Sequence, residues 1–244
     1  MKQIETQPVV SVGLMSAAES LRFELKGEFV AADGNRFRPG DYQYDAGNLK
    51  TAELRLEPAG PSSSFVVRDV VIGVEFHWQR KQDQEFRGAL RIRRDGNDRL
   101  IVINDVPVES YLASVISSEM SASAQPELLK AHAIISRSWL LAQIEPWKKS
   151  RLKPSFTIQE ADGEKQLIRW YDRENHTGFD VCADDHCQRY QGVTKAASQK
   201  VDNVIRETFG RVLAYDDELC DARYSKSCGG MTEGFDAAWE DVER

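Results

Sequence analysis

The sequence predicts an α+β fold, with a β-rich N-terminal half followed by a mixed helix and hairpin half. Three observations carry this. Up to about residue 105, apolar and polar residues alternate between short turn signals, the period-two mark of half-buried strands. From Val108 the apolar spacing changes to three and four, the mark of one helical face. Beyond about residue 195 a further helical stretch and a hairpin pattern follow. With 244 residues and 41% hydrophobic content, the chain suggests one large domain or two tightly joined ones, and needs no disulfide framework.

In chain order, "PVVSVGLMSAA" reads as a first strand. "LRFELKGEFVA", "AELRLEP", "SFVVRDVVIGVEFHWQ" and "FRGALRIRRDGNDRLIVIN" are further strand candidates, with turns at "ADGN", "RPGD" and "DGND". The turn Asp95-Gly96-Asn97-Asp98 between two alternating runs is the best hairpin signal in the chain. "VESYLASVISSEM" places Val108, Tyr111, Leu112, Val115 and Ile116 on one helical face. "PELLKAHAIISRSWLLAQI" is a second helix, with Pro126 near its N-terminus, where a missing N–H does no harm, and Glu127 in its first turn. Residues 151–192 form a polar, turn-rich insertion of a length usually tied to binding, function or disorder. Lys195 to Phe209 reads as one helix ending at Gly210, and "RVLAYDDELCDARYS" as a hairpin turning at Asp216-Asp217. No internal repeat or low-complexity tract is visible.

The formal charge of -7 argues against a general nucleic-acid binder, since a polyanion needs a basic face to release its counterions. The most basic stretch, Arg87 to Arg99, alternates with apolar residues and reads as the wet face of a strand pair. No run reaches the ~18 apolar residues that a membrane span needs. The N-terminal apolar stretch is too short and polar for a clear signal peptide. The final run "AAWEDVER" ends without a turn or cap, which predicts a natural C-terminus further on. Four cysteines, close in sequence as Cys182 with Cys187 and Cys220 with Cys228, are compatible with disulfides, a metal site or reduced thiols, and do not fix the compartment.

Several polar residues stand out. By spacing alone Glu119, in "ISSEM", is a polar residue ending a helix. Arg137 lies between Ser136 and Ser138 in an otherwise apolar stretch, where small neighbours let a guanidinium lie flat and reach a carboxylate. It either orients Glu119, grips a substrate acid or makes a structural salt bridge. His132, a lone helix histidine, reads as structural. "YSKSCGGMTE" supplies hydroxyls at Tyr224, Ser225 and Ser227, and Gly229-Gly230 either let backbone approach a ligand or simply make a turn. "HTGFDVCADDHC" puts His176, Cys182, His186 and Cys187 within twelve residues, a donor set that would close a tetrahedral structural zinc site. Its spacing matches no standard finger, the adjacency of His186 and Cys187 strains a short loop, and a Cys182–Cys187 disulfide or unliganded side chains remain alternatives.

"FRGALRI", "VPVESYLASVISSEMSASAQPELLKAHAIISRSWLLAQI", "DHCQRYQGV" and "ETFGRVLAYDDELCDARYSKSCGGMTE", in this order, resemble the sporulation stage II protein D / LytB family of bacterial cell-wall proteins, over roughly residues 70 to 235. The resemblance implies a division into a β-rich N-terminal region, 1–69, and a catalytic domain, 70–244, that carries the 151–192 insertion. It further implies a lytic transglycosylase that cuts peptidoglycan between N-acetylmuramic acid and N-acetylglucosamine, leaves a 1,6-anhydro end, and uses Glu119 as its catalytic residue. Such a reaction works with one carboxyl group, because the nucleophile is the tethered 6-hydroxyl of the sugar itself. For that role Ile116 and Met120 are expected to surround the carboxyl and disfavour its charged form.

Arg137, Tyr224, Ser225, Ser227, Gly229 and Gly230 are then expected at the substrate cleft. His132 stands where the family commonly has glutamine, so no family role passes to it. Some relatives hold zinc with histidine and cysteines in the corresponding insertion, where the ion would pin the loop beside the cleft; the chemistry itself requires no cofactor. The resemblance implies glycan strands as partner and a place in the cell envelope, and its alternative to cleavage is a non-catalytic, peptidoglycan-binding enhancer of a cell-wall amidase. A metal-dependent hydrolase ranks below both, because four protein ligands leave zinc no open position.

Overall fold

In the computed structural model the described residues are 1–5, 7–74, 76–144, 156–161, 164–169, 176–196, 198–225, 227–232 and 234. The run "AAWEDVER" and insertion residues 151–155, 162–163 and 170–175 lie outside them. The strands are β1 (Lys2–Gln3), β2 (Val9–Ala18), β3 (Ser20–Lys26), β4 (Phe29–Ala31), β5 (Arg36–Phe37), β6 (Gly40–Asp45), β7 (Glu53–Pro58), β8 (Ser64–Ile72), β9 (Arg80–Phe86), β10 (Ala89–Arg94) and β11 (Leu100–Pro107). The helices α1 (Val108–Met120) and α2 (Pro126–Gln143) follow, then β12 (Phe156–Ala161), β13 (Glu164–Arg169) and β14 (Val181–Cys182). The chain continues through α3 (Val193–Ala196), α4 (Gln199–Glu207), β15 (Arg211–Val212), β16 (Ala214–Tyr215) and β17 (Glu218–Leu219). This is the α+β architecture the sequence predicts.

Two sheets organise the fold. One has seven strands in the order β14-β2-β11-β10-β7-β4-β5, the other four in the order β6-β3-β8-β9. Alternation explains both: in β3, Leu21, Phe23 and Leu25 are buried while Arg22 and Lys26 are exposed. The polar strands β6 and β9 escape the alternation test because they are the edges of the smaller sheet, where one side of the backbone has no neighbour to pair with. The division expected at residues 69 and 70 falls inside β8, and the seven-stranded sheet takes β2, β4, β5 and β7 from one side of it and β10, β11 and β14 from the other. The two regions therefore share one sheet and one apolar core rather than forming separate layers.

Local chemistry sets the turns. Asp95 Oδ1 accepts the amides of Asn97 and Arg99, closing the β10–β11 hairpin. Asp216 and Asp217, with φ of 47° and 64°, make the β16–β17 turn in the left-handed conformation that suits the strands' twist. The stretch "VEFHWQ" alternates like a strand but is the β8–β9 turn, because Gly73 at φ +68° breaks the strand and lets the Trp78 ring lie against its backbone. The single helix expected over Lys195–Phe209 is two, α3 and α4. At its end Gly210 passes so close to the Ile4 carbonyl that a Cβ would come within 2.2 Å, which requires glycine.

α1 buries Val108, Tyr111, Leu112, Val115 and Ile116 against β11 and β2, so its last turn is fixed from below. α2 packs across α1 and α4 through Leu129, Ala133, Leu140 and Leu141. No helix among the described residues is long and apolar enough to cross a membrane.

Candidate active site and cysteine-histidine cluster

Glu119 sits in the last turn of α1, with its side chain 19% exposed. Three polar groups meet its carboxyl. The Arg189 backbone N–H donates to Oε1 at 3.0 Å, the Tyr224 hydroxyl donates to Oε2 at 2.7 Å, and His132 Nε2 lies 3.1 Å from Oε2. Of the two neighbours expected to surround it, Ile116 is wholly buried in the core and Met120 packs partly against that core. The polar partners all come from outside α1, at residues 132, 189 and 224.

Each partner is itself held. The Tyr224 oxygen accepts from Ser136 Oγ at 3.3 Å and Gln188 Nε2 at 3.0 Å, which directs its own proton to Glu119. Burial, and secondly the Glu119 charge, hold the Tyr224 phenol far above its ordinary range, so it remains a donor. His132 is 1% exposed and its ring stands edge-on to Tyr224 with centroids 5.0 Å apart. Nδ1 is buried without a partner, and a proton is assigned to Nε2, pointing at Glu119. Oε2 thus receives two donors and Oε1 one, leaving Oε1 with the lone pair open for proton exchange.

His132 was legible only as a structural histidine, and the Arg189 amide had no signal at all, because any non-proline residue offers the same N–H. Arg137 requires a correction. Its side chain is 1% exposed, its Nε and Nη2 bind Glu109 Oε1 and Oε2 at 2.9 and 2.6 Å, and its Nη1 binds the Arg211 carbonyl at 3.0 Å. It neither touches Glu119 nor faces a ligand; the structural salt bridge is what forms. Glu109 also accepts the Gly210 amide at 3.3 Å, so the pair ties α1, α2 and β15 together. Tyr224 points at Glu119, whereas Ser225, Ser227, Gly229 and Gly230 are exposed, and the two glycines form an open turn at φ 67° and 106° with nothing within 4 Å of a built Cβ. The turn reading suits that glycine pair better than a close approach.

The four donor atoms of His176, Cys182, His186 and Cys187 lie within 4.8 Å of one another. Cys187 Sγ is 3.2 Å from His176 Nε2 and 3.5 Å from His186 Nδ1, and Cys182 Sγ is 3.8 Å from His186 Nδ1. A zinc tetrahedron with the usual bond lengths has sulfur–nitrogen edges of about 3.5 Å, so the residues fit the ion. Neither His186 nor Cys187 has a left-handed backbone. None of the four cysteines is in a disulfide. The Cys182 thiol is lowered to about 3, chiefly by its hydrogen bond with Cys187 and further by His176.

A strap of residues 180–191 joins this cluster to Glu119. Its start is stitched to β2 by Ser11 N to Asp180 Oδ2 at 2.8 Å and by the parallel β14–β2 pairing. Asp184 accepts the amides of Gly73 and Val74 at 3.2 and 2.9 Å, and Asp185 binds Arg189 Nε and Nη2 at 2.8 and 2.6 Å. Gln188 then reaches Tyr224, and Arg189 N reaches Glu119. Beside the carboxyl lies an open groove of about 430 Å³, lined by Ile72, Trp78, Arg80, Ser117, Ser118, Arg189 and Gln191.

Residues 96–215 match the family described as Stage II sporulation protein, SpoIID. Among curated proteins, Stage II sporulation protein D of Bacillus amyloliquefaciens is 23% identical over 137 residues, covering 56% of this chain and 36% of the relative. The protein of the same name from Bacillus subtilis is 22% identical over 143 residues, again 56% and 36%. An uncharacterized protein of Chlamydia muridarum is 24% identical over 157 residues, covering 59% of this chain and half of the relative. The matched part thus spans about a third to a half of these relatives' own length.

Proposed function

Because residues 96–215 form a domain of the Stage II sporulation protein (SpoIID) family, we propose that the chain acts on the bacterial cell wall as a lytic transglycosylase, cleaving peptidoglycan glycan strands with Glu119 as its one acid and base. The observation that carries this reading is the state of the carboxyl groups around the groove. Among the described residues Glu119 is partly exposed and polar-held, while Asp184 is engaged by two backbone amides and Asp185 by Arg189. A hydrolase of the two-carboxylate kind needs a second acid free to act as nucleophile or to activate water. A transglycosylase needs none.

In this reading Glu119 Oε1 gives its proton to the glycosidic oxygen as the bond from C1 of the muramyl sugar breaks. The 6-hydroxyl of that sugar then bonds to C1 and returns its proton to Oε1, so no water is consumed and the carboxyl is regenerated. Tyr224, His132 and the Arg189 amide stabilise the carboxylate between the two transfers and fix its orientation. His176, Cys182, His186 and Cys187 are proposed to hold a structural zinc ion. Bound there, zinc would supply rigidity: the strap would carry Gln188 and Arg189 to Tyr224 and Glu119 from a fixed point. A place in the cell envelope follows from the substrate.

The test is Glu119→Gln. The variant is expected to keep the fold and to release no anhydromuropeptides from purified sacculi, as read by mass spectrometry. Turnover retained in the variant would sink the assignment. A parent protein that binds sacculi and produces no anhydro ends would instead fit a binding role such as amidase enhancement.

A further inference from the structure

We propose that the groove beside Glu119 is a subsite for a carboxylate-bearing sugar unit, with Arg80 as the residue that pairs with the carboxylate. The proposal rests on the glycan-cleaving reading above and names what this chain adds to it. One wall of the groove, Ser117 and Ser118 of α1 with Arg189 and Gln191 of the strap, belongs to residues 96–215. The other wall, Ile72, Trp78 and Arg80, comes from the β8–β9 turn and lies outside the matched family segment. Residues N-terminal to the matched segment thus complete a groove whose other wall that segment provides.

Charge selects the ligand class. The chain as a whole is acidic, yet among the described residues this groove is lined by two guanidinium groups and no carboxylate. Arg189 is already neutralised by its two bonds to Asp185. Arg80 is exposed and makes no hydrogen bond or ion pair among the described residues. The uncompensated charge facing the groove is therefore that of Arg80, and a planar guanidinium fork matches a carboxylate.

The wall is built rather than incidental. Trp78 stacks on Phe76 with centroids 5.5 Å apart and an interplanar angle of 16°, and the Arg189 guanidinium lies 4.9 Å from its ring centroid. Gly73 makes room for that ring, since a Cβ there would come within 2.2 Å of it. Ser118 Oγ, on the opposite wall, is buried and has no partner of its own. A ligand in the groove therefore meets a charge and a fixed aromatic wall.

Two carboxylates on a glycan strand have this chemistry: the lactyl group of a muramyl sugar freed of its peptide, and the acids of an attached stem peptide. The experiment uses the full chain in the Glu119→Gln background, which is expected to bind without cutting, with and without Arg80→Gln. Binding is measured to denuded glycan strands, to peptide-bearing strands and to neutral chitin oligosaccharides. Arg80→Gln is expected to weaken the acidic ligand by about tenfold and leave chitin binding unchanged. A loss on denuded strands assigns the lactyl carboxylate, and a loss confined to peptide-bearing strands assigns the stem peptide. Equal binding by the two proteins to all three ligands, or an equal loss on all three, overturns the proposal and makes Arg80 a solvated edge-strand charge. Anhydro ends from the parent protein, measured alongside, show whether the cleavage reading stands on its own.

Discussion

The Arg137–Glu109 pair offers a decisive separation of structure from substrate binding. Its side chains are 1% and 10% exposed, and removing one partner strands the other charge in the core. Arg137 would keep only the Ala133 and Arg211 carbonyls if Glu109 were lost. Breaking a buried pair from one side costs about 3–5 kcal/mol. Glu109→Leu belongs at the upper end. Arg137→Met belongs at the lower, because Glu109 retains the Gly210 amide and a little contact with water.

Urea unfolding followed by far-ultraviolet circular dichroism is the assay. With an m-value of about 3 kcal/mol/M, such losses lower the midpoint by about 1–1.7 M. The double variant Glu109→Leu/Arg137→Met removes both charges and fills the space with apolar atoms, and is expected within about 1 kcal/mol of the parent. Glycan turnover by the folded double variant is expected to keep the KM of the parent. An Arg137→Met protein with an unchanged midpoint and a raised KM would refute the reasoning and return Arg137 to the substrate.

Two further outcomes follow from the site. Tyr224→Phe removes a donor to Glu119 and the acceptor of Ser136 and Gln188, and is expected to lower kcat by about ten- to a hundredfold, equivalent to the loss of one hydrogen bond to a charged group; because burial holds the phenol up, the alkaline limb of the parent pH profile is expected not to reflect its ionisation. Protein purified without a polyhistidine tag is expected to contain about one equivalent of zinc by elemental analysis, and Cys187→Ser to lose it together with thermal stability; less than about a tenth of an equivalent in the parent counts heavily against the site.

Much of the fold was legible because its signals are local. The period of α1 and α2, the Asp95–Asp98 and Asp216–Asp217 turns and the alternation of β3 each depend on residues within a few positions of one another. The same locality explains the misses. "VEFHWQ" has a strand's alternation, but the backbone at Gly73 decides that it turns. Polar β6 and β9 become strands because β3 and β8 present paired edges to them. The apparent boundary at residue 69 dissolves because long-range pairing threads both regions into one sheet.

For the site, the sequence by itself determined which polar side chains stand where: Glu119 at the end of a helix, and two histidines and two cysteines in one short loop. Only the tertiary structure decided what those groups do to one another. His132, Arg189 and Tyr224 meet Glu119 from 13, 70 and 105 residues away. A contact across such a separation leaves no periodicity, and a backbone amide leaves no residue type to read. Arg137 shows the converse, since its composition fits a binding cleft and its burial against Glu109 assigns it to the core. A side chain's chemistry is written in its identity, whereas its role depends on the charge and exposure of neighbours that folding alone brings together.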